Sequence, residues 1–383
     1  MKKTQVTLGK QANTGLATLY TAFELSNKKW KLAFSNGDKV RQVTVPARAL
    51  GHLRREIDKA KKRFQMPKKV RIVSCYEAGR DGFWLHRYLT TKGVENLVVD
   101  SSSIEVNRRK RRAKSDRIDA GQLLRMLMRY HGGEKTLWSV VRVPTVEQED
   151  ARQLHRELEA LNKERTCHRS RIRAFLIQHG IQIGNPSRLD FLKTLESLRT
   201  WDGKVLPSDL KARVVREYKR LQMVEDHIKF LDKEQEQRVK RADSSSLLKV
   251  AALRRLRGIG PRSSWLFAME FFGWRKFNNR RQVAGAAGLT PTPYDSGGSR
   301  REQGIGKDGN RRVRTMAVEM AWGWLRFQPR SKLSRWFNKR FAQGGSRMRR
   351  IGIVAMARRL LIDLWKYLDY GTVPEGAILK APA

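Results

Sequence analysis

Four carboxylates stand out by type and setting: Glu24 in TAFELS, Glu77 at the end of SCYE, and Asp116 and Asp119 in KSDRIDA. The two aspartates lie three residues apart, so on a helix they share one side. Carboxylates from separate elements supply the hard oxygen ligands that Mg²⁺ or Mn²⁺ takes while keeping some of its waters. Two such ions can stabilise the attacking and leaving oxygens of a phosphodiester. Salt bridging is the competing account, because Arg117 lies between the aspartates and the run RRKRRAK precedes them. Spacing alone leaves both readings open.

A second group lies in GLTPTPYDSGGSRREQGIGKDGNRRVR, residues 288–314. A Pro/Gly loop there presents Ser296 just before Gly297 and Gly298, and two glycines let a backbone approach a phosphate closely. Arg300, Arg301, Lys307, Arg311, Arg312 and Arg314 supply charge to hold it. A serine hydroxyl in that setting can attack phosphorus if a metal or base activates it. A turn serine is the plain alternative, and Tyr294 is a competing nucleophile.

Two further segments read as phosphate contacts. In LRRLRGIGPRSSWLFAMEF, Gly258 and Gly260 sit between apolar helical stretches, as in a helix-hairpin-helix whose backbone N–H groups touch DNA phosphates. A simple helix–helix turn is the alternative. The run Arg108, Arg109, Lys110, Arg111, Arg112 and Lys114 reads as a phosphate-tracking segment beside the acids, against a solvated basic loop. Trp322, Trp324 and Trp336 read as core, with base stacking the other use.

The elements that must position these groups follow from periodicity. KKWKLAFS and RQVTVP alternate apolar and polar residues, with Asn36-Gly37-Asp38 as the turn between them. Residues 48–64 have helical spacing. VRIVSCYE is a strand, a helix carries Trp84, Leu85 and Leu89, NLVVD is a strand, and IDAGQLLRMLMRYH is a helix. This order predicts a mixed sheet with helices on its faces, the order of the RNase H-like fold. Further on, Leu154, Leu158, Leu161, Ile172 and Phe175 keep a heptad register, with Arg165 and His168 in the seam. With a second helix over about 208–240 they predict a coiled-coil arm, within the chain or between protomers, against an ordinary bundle. ADSSS at 242–246 is a linker, and the rest is helical. The expected domains are therefore 1–144, 145–246 and 247–383.

Composition narrows the chemistry. In 383 residues, 81 Lys and Arg face 37 Asp and Glu, a net charge of +44. With 40% hydrophobic residues, real cores form, but this charge repels itself unless a polyanion neutralises it. Nucleic acid is the expected partner, and a soluble metabolic enzyme is nearly ruled out. Two cysteines, Cys75 and Cys167, exclude a disulfide framework and a Cys-rich zinc site. The N-terminal segment lacks a signal peptide's apolar core, and no run is long and apolar enough for a membrane span. A cytoplasmic, nucleoid-associated protein is expected.

Taken together, AFELSNKKWKLAF, YEAGRDGFWLHRYL, KSDRIDA, LRGIGPRSSWLFAMEF, RKFNNRRQVAGAAGLTPTPYDSGG and GKDGNRRVR resemble the insertion-sequence 110/1111 transposases. These are DEDD transposases, also described as bridge-RNA-guided serine recombinases. The resemblance implies an N-terminal RuvC-like α/β domain whose Glu24, Glu77, Asp116 and Asp119 bind Mg²⁺ or Mn²⁺. The family usually has Asp where this chain has Glu24. It implies a long helical arm and a mostly α C-terminal domain in which Ser296 forms a covalent link to DNA, the acids and the serine serving one composite site. Donor DNA, target DNA and an element-encoded guide RNA are the implied partners, with dimers pairing into a tetramer. Two alternatives stand beside this: a RuvC-like metal-dependent nuclease or resolvase in which Ser296 is structural, and a non-catalytic nucleic-acid-binding protein.

Overall fold

Alternating apolar residues build one five-stranded sheet in the N-terminal part of the computed structural model, which describes residues 17–104, 116–296 and 299–380. The strands are β1 (Thr18–Glu24), β2 (Lys29–Ser35), β3 (Val40–Pro46), β4 (Arg71–Glu77) and β5 (Glu95–Val99). Their order across the sheet is β3-β2-β1-β4-β5. β1 pairs antiparallel with β2 and parallel with β4, and β5 continues the parallel side. The sheet is therefore mixed, as the element order predicts.

Period-two alternation gives each face its own core. Leu19, Phe23, Trp30, Leu32 and Phe34 point to one face. There they meet Leu53 and Ile57 of α1 (Leu50–Arg63) and Leu85 and Leu89 of α2 (Trp84–Thr91). Tyr20, Ala22, Ala33, Val73 and Cys75 point to the other, against Leu123, Leu124 and Leu127 of α3 (Asp116–His131). Small residues, Ala22, Ala33 and Ala120, let this helix lie close to the sheet.

The chain forms two compact units, one ending at Val143 and the other beginning at Pro144. The second unit starts with α4 (Val146–Asp150) and the long α5 (Gln153–Ile177), followed by α6 (Phe191–Ser197) and α7 (Ser208–Arg241). At about 1.5 Å per residue, the 34 residues of α7 span roughly 50 Å.

α5 and α7 pack antiparallel within the one chain. Leu154, Leu158 and Leu161 at the start of α5 meet Val224, Ile228 and Leu231 late in α7. Ile172 and Leu176 at its end meet Val214, Tyr218 and Leu221 early in α7. The seam is not continuous. Between the two apolar clusters, His168 Nδ1 lies 2.7 Å from Glu217 Oε1, and Arg169 Nη2 lies 2.8 Å from Glu225 Oε1. The pair is also not free-standing. Its first cluster includes Leu247, Val250, Trp265 and Met269, and its second includes Phe191 and Leu195 of α6.

The rest of the unit is α8 (Ser245–Arg255), α9 (Pro261–Phe267), α10 (Arg280–Ala286), α11 (Arg311–Phe327), α12 (Lys332–Phe341) and α13 (Ser346–Tyr370) around one large core. A π-helical turn, Ala268–Phe272, continues α9. The only strands described in this unit are β6 (Pro291–Ser296) and β7 (Ser299–Ile305), an antiparallel ribbon. The sequence reading places a Pro/Gly loop here. The backbone pairs instead, because a proline-containing run and a polar run flank only two residues, a hairpin spacing.

Candidate functional site

Parallel pairing brings the acids of the first unit to one end of the sheet. Phe23 is opposite Tyr76, so the next residues, Glu24 and Glu77, end adjacent strands. By alternation from Ala22 and Cys75, both stand on the face that α3 covers. α3 runs antiparallel to β1. Its last residue, His131, meets Tyr20 early in β1, with Nδ1 2.9 Å from the Tyr20 hydroxyl oxygen. The start of α3 therefore lies at the end of the sheet that carries Glu24 and Glu77, and Asp119 falls one turn before Leu123, which faces the sheet.

Glu24 and Asp119 are half-buried and Glu77 is exposed. Asp116 is the first residue of α3, and its side chain lies outside those described. Asp100 follows Val99, the partner of Glu77 on β5, and is a further carboxylate at this end that the sequence reading passed over. Among the described residues, no three His, Cys, Asp or Glu side chains are gathered into a ready metal cage. Arg108, Arg109, Lys110, Arg111, Arg112 and Lys114 lie outside the described residues.

In the second unit, Ser296 is the last residue of β6, paired with Ser299, at the end of the ribbon away from its base. Gly297 and Gly298 lie outside the described residues, as do the side chains of Tyr294, Ser296, Arg300 and Arg301.

The ribbon's base is clamped by backbone. Gly306 N–H donates to Thr290 O (2.9 Å), Lys307 N–H to Gly288 O (3.2 Å) and Asn310 N–H to Ala286 O (2.9 Å). Two glycines make this possible. At Gly288 (φ +65°) a Cβ would fall 1.8 Å from Asp308 O, and at Gly309 (φ +87°) 2.4 Å from Ala286 O. Only glycine takes such a backbone at no steric cost. Arg314 belongs to the clamp, donating to Ala287 O at 3.2 Å. Lys307 and Arg311 are exposed, while Arg312 is held by Glu159 of α5 at 2.7 Å.

Behind the clamp lies a charged cluster that the sequence reading missed. Glu270, 1% exposed on the π-helical turn, receives two bonds from Arg156, 2.6 Å from Nε and 3.1 Å from Nη2. Its Oε1 is 3.1 Å from His155 Nε2, and Asn310 Nδ2 donates to its Oε2 at 3.5 Å. Asn310 in turn caps α11, accepting from the N–H groups of Arg312 and Val313. Burial alone would raise the Glu270 carboxyl. The hydrogen bonds and charges of His155 and Arg156 outweigh it and hold the group at about 2. One signal was legible: a single acid inside the apolar run LFAMEFF must find a cation or neutralise.

The glycine segment between α8 and α9 is a tight turn. Gly258 has φ +91°, and a Cβ there would meet Phe327 at 2.9 Å, so this glycine serves packing. Gly260 caps α9, and its N–H donates to Ser263 Oγ at 3.2 Å. Of the three tryptophans, Trp324 is buried with its Nε1–H on Ser331 Oγ at 2.9 Å, Trp336 is half-buried, and Trp322 is 41% exposed.

An α/β unit with acids at one sheet end, and a helical unit bearing a serine-tipped ribbon in so basic a chain, suit an enzyme that acts on DNA, and its relatives are transposases. Residues 250–334 match the family described as Transposase IS116/IS110/IS902. The chain is 41% identical over 380 residues to "Putative transposase y4rJ" of Sinorhizobium fredii (strain NBRC 101917 / NGR234), covering 96% of each protein. It is 33% identical to "Putative transposase y4qE" of the same strain, over 68% of this chain and 60% of that protein. It is 25% identical to the "Transposase for insertion sequence element IS1328" of Yersinia enterocolitica, over 60% of this chain and 66% of that one. The chain belongs to the IS116/IS110/IS902 family of transposases. No described helix is long and apolar enough to cross a membrane.

Proposed function

We propose that the chain is an insertion-sequence transposase that cleaves and rejoins DNA through a serine–DNA phosphodiester. Ser296 Oγ attacks the scissile phosphorus. An Oγ–P bond forms, a bond from phosphorus to a deoxyribose oxygen breaks, the serine proton departs, and the freed deoxyribose oxygen takes up a proton. The phosphodiester is conserved, so attack by another strand's hydroxyl on the serine-linked phosphorus releases Ser296 and completes exchange.

The observation that carries this reading is the delivery of Glu24, Glu77 and Asp119 to one end of the sheet by β1, β4 and α3. Their oxygens are the donor type that Mg²⁺ or Mn²⁺ takes. With Asp116 they would hold a divalent ion, which supplies charge stabilisation to the phosphorus oxygens and lowers the cost of deprotonating a hydroxyl. The longer Glu24 side chain keeps a carboxylate where the resembling family has Asp. This RuvC-like reading is supported by the strand order β3-β2-β1-β4-β5, and the RNA-guided reading by a charge of +44, enough to hold two polyanions.

The test is recombination of a supercoiled plasmid by purified protein, with and without RNA transcribed from the element's flank. Wild type is expected to recombine only with Mg²⁺ or Mn²⁺ and RNA, and Ser296→Ala and Asp119→Asn are both expected to fail. Cleavage that survives Ser296→Ala but needs metal would instead establish the nuclease reading.

A further inference from the structure

Between Glu319 and Asp363 the chain runs 43 residues without one Asp or Glu, its longest such stretch, while carrying 11 Lys and Arg. At the chain's average, 37 acids in 383 residues, about four would be expected there. This stretch folds as the end of α11, all of α12 and α13 up to Asp363. The last two helices pack closely: a Cβ at Gly352 of α13 would fall 2.4 Å from Phe341 Cγ at the end of α12.

Six of these cations lie together on the outer face. Arg335, Lys339 and Arg340 of α12 and Arg347, Arg349 and Arg350 of α13 are all exposed. Elsewhere in this unit many cations have carboxylate partners, as in Arg156–Glu270, Arg169–Glu225, Arg254–Glu236 and Arg262–Asp232. Within the stretch only Lys332 has such a partner among the described residues, Glu375 at 2.5 Å.

The surface also exposes apolar groups among the charges. Trp322 on α11 is 41% exposed, with Met348 and Ile351 beside the arginines of α13. Trp322 packs edge-on to Phe337 of α12, and the Arg349 guanidinium lies 5.9 Å from its ring centroid. An indole so placed holds a guanidinium at the surface rather than burying it. Exposed cations without carboxylate partners repel one another and destabilise the fold unless an anion arrives.

We propose that the outer face of α12 and the start of α13 is a DNA-binding platform, with Arg347, Arg349 and Arg350 contacting the phosphates of a duplex. It lies on elements other than the ribbon, and it does not depend on the serine chemistry. Contacts of this kind fix register and affinity without reading bases.

The experiment is fluorescence anisotropy of the full-length protein on a labelled duplex of roughly 40 bp, over a salt series. A triple variant, Arg347→Gln, Arg349→Gln and Arg350→Gln, is compared with a triple on α1, Arg54→Gln, Arg55→Gln and Lys62→Gln, which removes the same charge elsewhere. Each phosphate contact contributes about 0.9 to the slope of log K against log salt. The platform triple is expected to flatten that slope by about 2 to 3 and weaken binding at least about tenfold near physiological salt. The α1 triple should stay within roughly twofold of wild type. Lysine at the same three positions should restore binding, which separates lost charge from lost fold. Equal shifts in the two triples, a platform triple that binds like wild type, or a loss seen with duplex RNA but not DNA would each overturn the assignment.

Discussion

Glu270→Gln removes the charge around which the C-terminal unit organises the ribbon's base. The Glu270 carboxyl sits at about 2 rather than the ordinary 4.5. A shift of this size, about 2.5 units at about 1.36 kcal/mol each, corresponds to roughly 3 kcal/mol of stability at neutral pH. The side chain is 2% exposed, so solvent screens little of it. Arg156 is 35% exposed and can turn to water when its partner is lost, which keeps the cost at that level rather than higher. The sign follows from the depressed value. The contribution is complete above pH 4.5 and is lost as pH falls towards 2. Urea unfolding of wild type and variant at several pH values, followed by circular dichroism, reads the difference. It should be near 3 kcal/mol at pH 7 and smaller by about 2 kcal/mol at pH 3. A difference under about 0.5 kcal/mol at pH 7, or one that does not change with pH, would refute the reasoning.

Three further outcomes follow from the same structure. Gly288→Ala forces a Cβ onto Asp308 O, so hydrogen exchange across residues 286–310 should accelerate strongly while the sheet of the first unit is unchanged. Leu221→Ala empties a fully buried site in the distal cluster between α5 and α7 and should cost about 2–5 kcal/mol in urea unfolding, with little effect if that cluster were loose. Asp119→Asn should lower strand cleavage by about a hundredfold or more, since even outer partners of metal ligands are worth roughly 10–100-fold. DNA affinity, read by anisotropy, should change less than about twofold, and a parallel loss of binding would place Asp119 in a structural role.

Periodicity made the sheet legible. Trp30, Leu32 and Phe34 alternate because one face of β2 is buried under α1 and α2, and the same residues mark it in the sequence. The register that aligns Glu24 with Glu77 was not legible, because parallel pairing joins residues about 50 positions apart and leaves no local trace. The heptad pattern of α5 was readable, yet Arg165 and His168 weakened it. His168 is a satisfied seam residue, since Glu217, 49 positions later, supplies its partner. The reading of Gly297 and Gly298 as a phosphate cradle falls on residues outside those described. Gly288 and Gly309 lock the ribbon's base to α10 and α11, a close approach of backbones that no spacing rule encodes. The partners of Glu270 were hidden for the same reason: His155 and Arg156 come from more than a hundred residues earlier.

The central claim is a covalent link between Ser296 and DNA. Its most direct measurement incubates the full-length protein with guide RNA, Mg²⁺ and end-labelled DNA carrying the element's junction, then denatures the mixture and separates it by gel. A labelled band at the mass of protein plus one DNA arm, with the adducted peptide mapping to residue 296 and absent in Ser296→Ala, is the expected result. Free cleaved DNA ends with no protein-linked species, undiminished in Ser296→Ala, would contradict it.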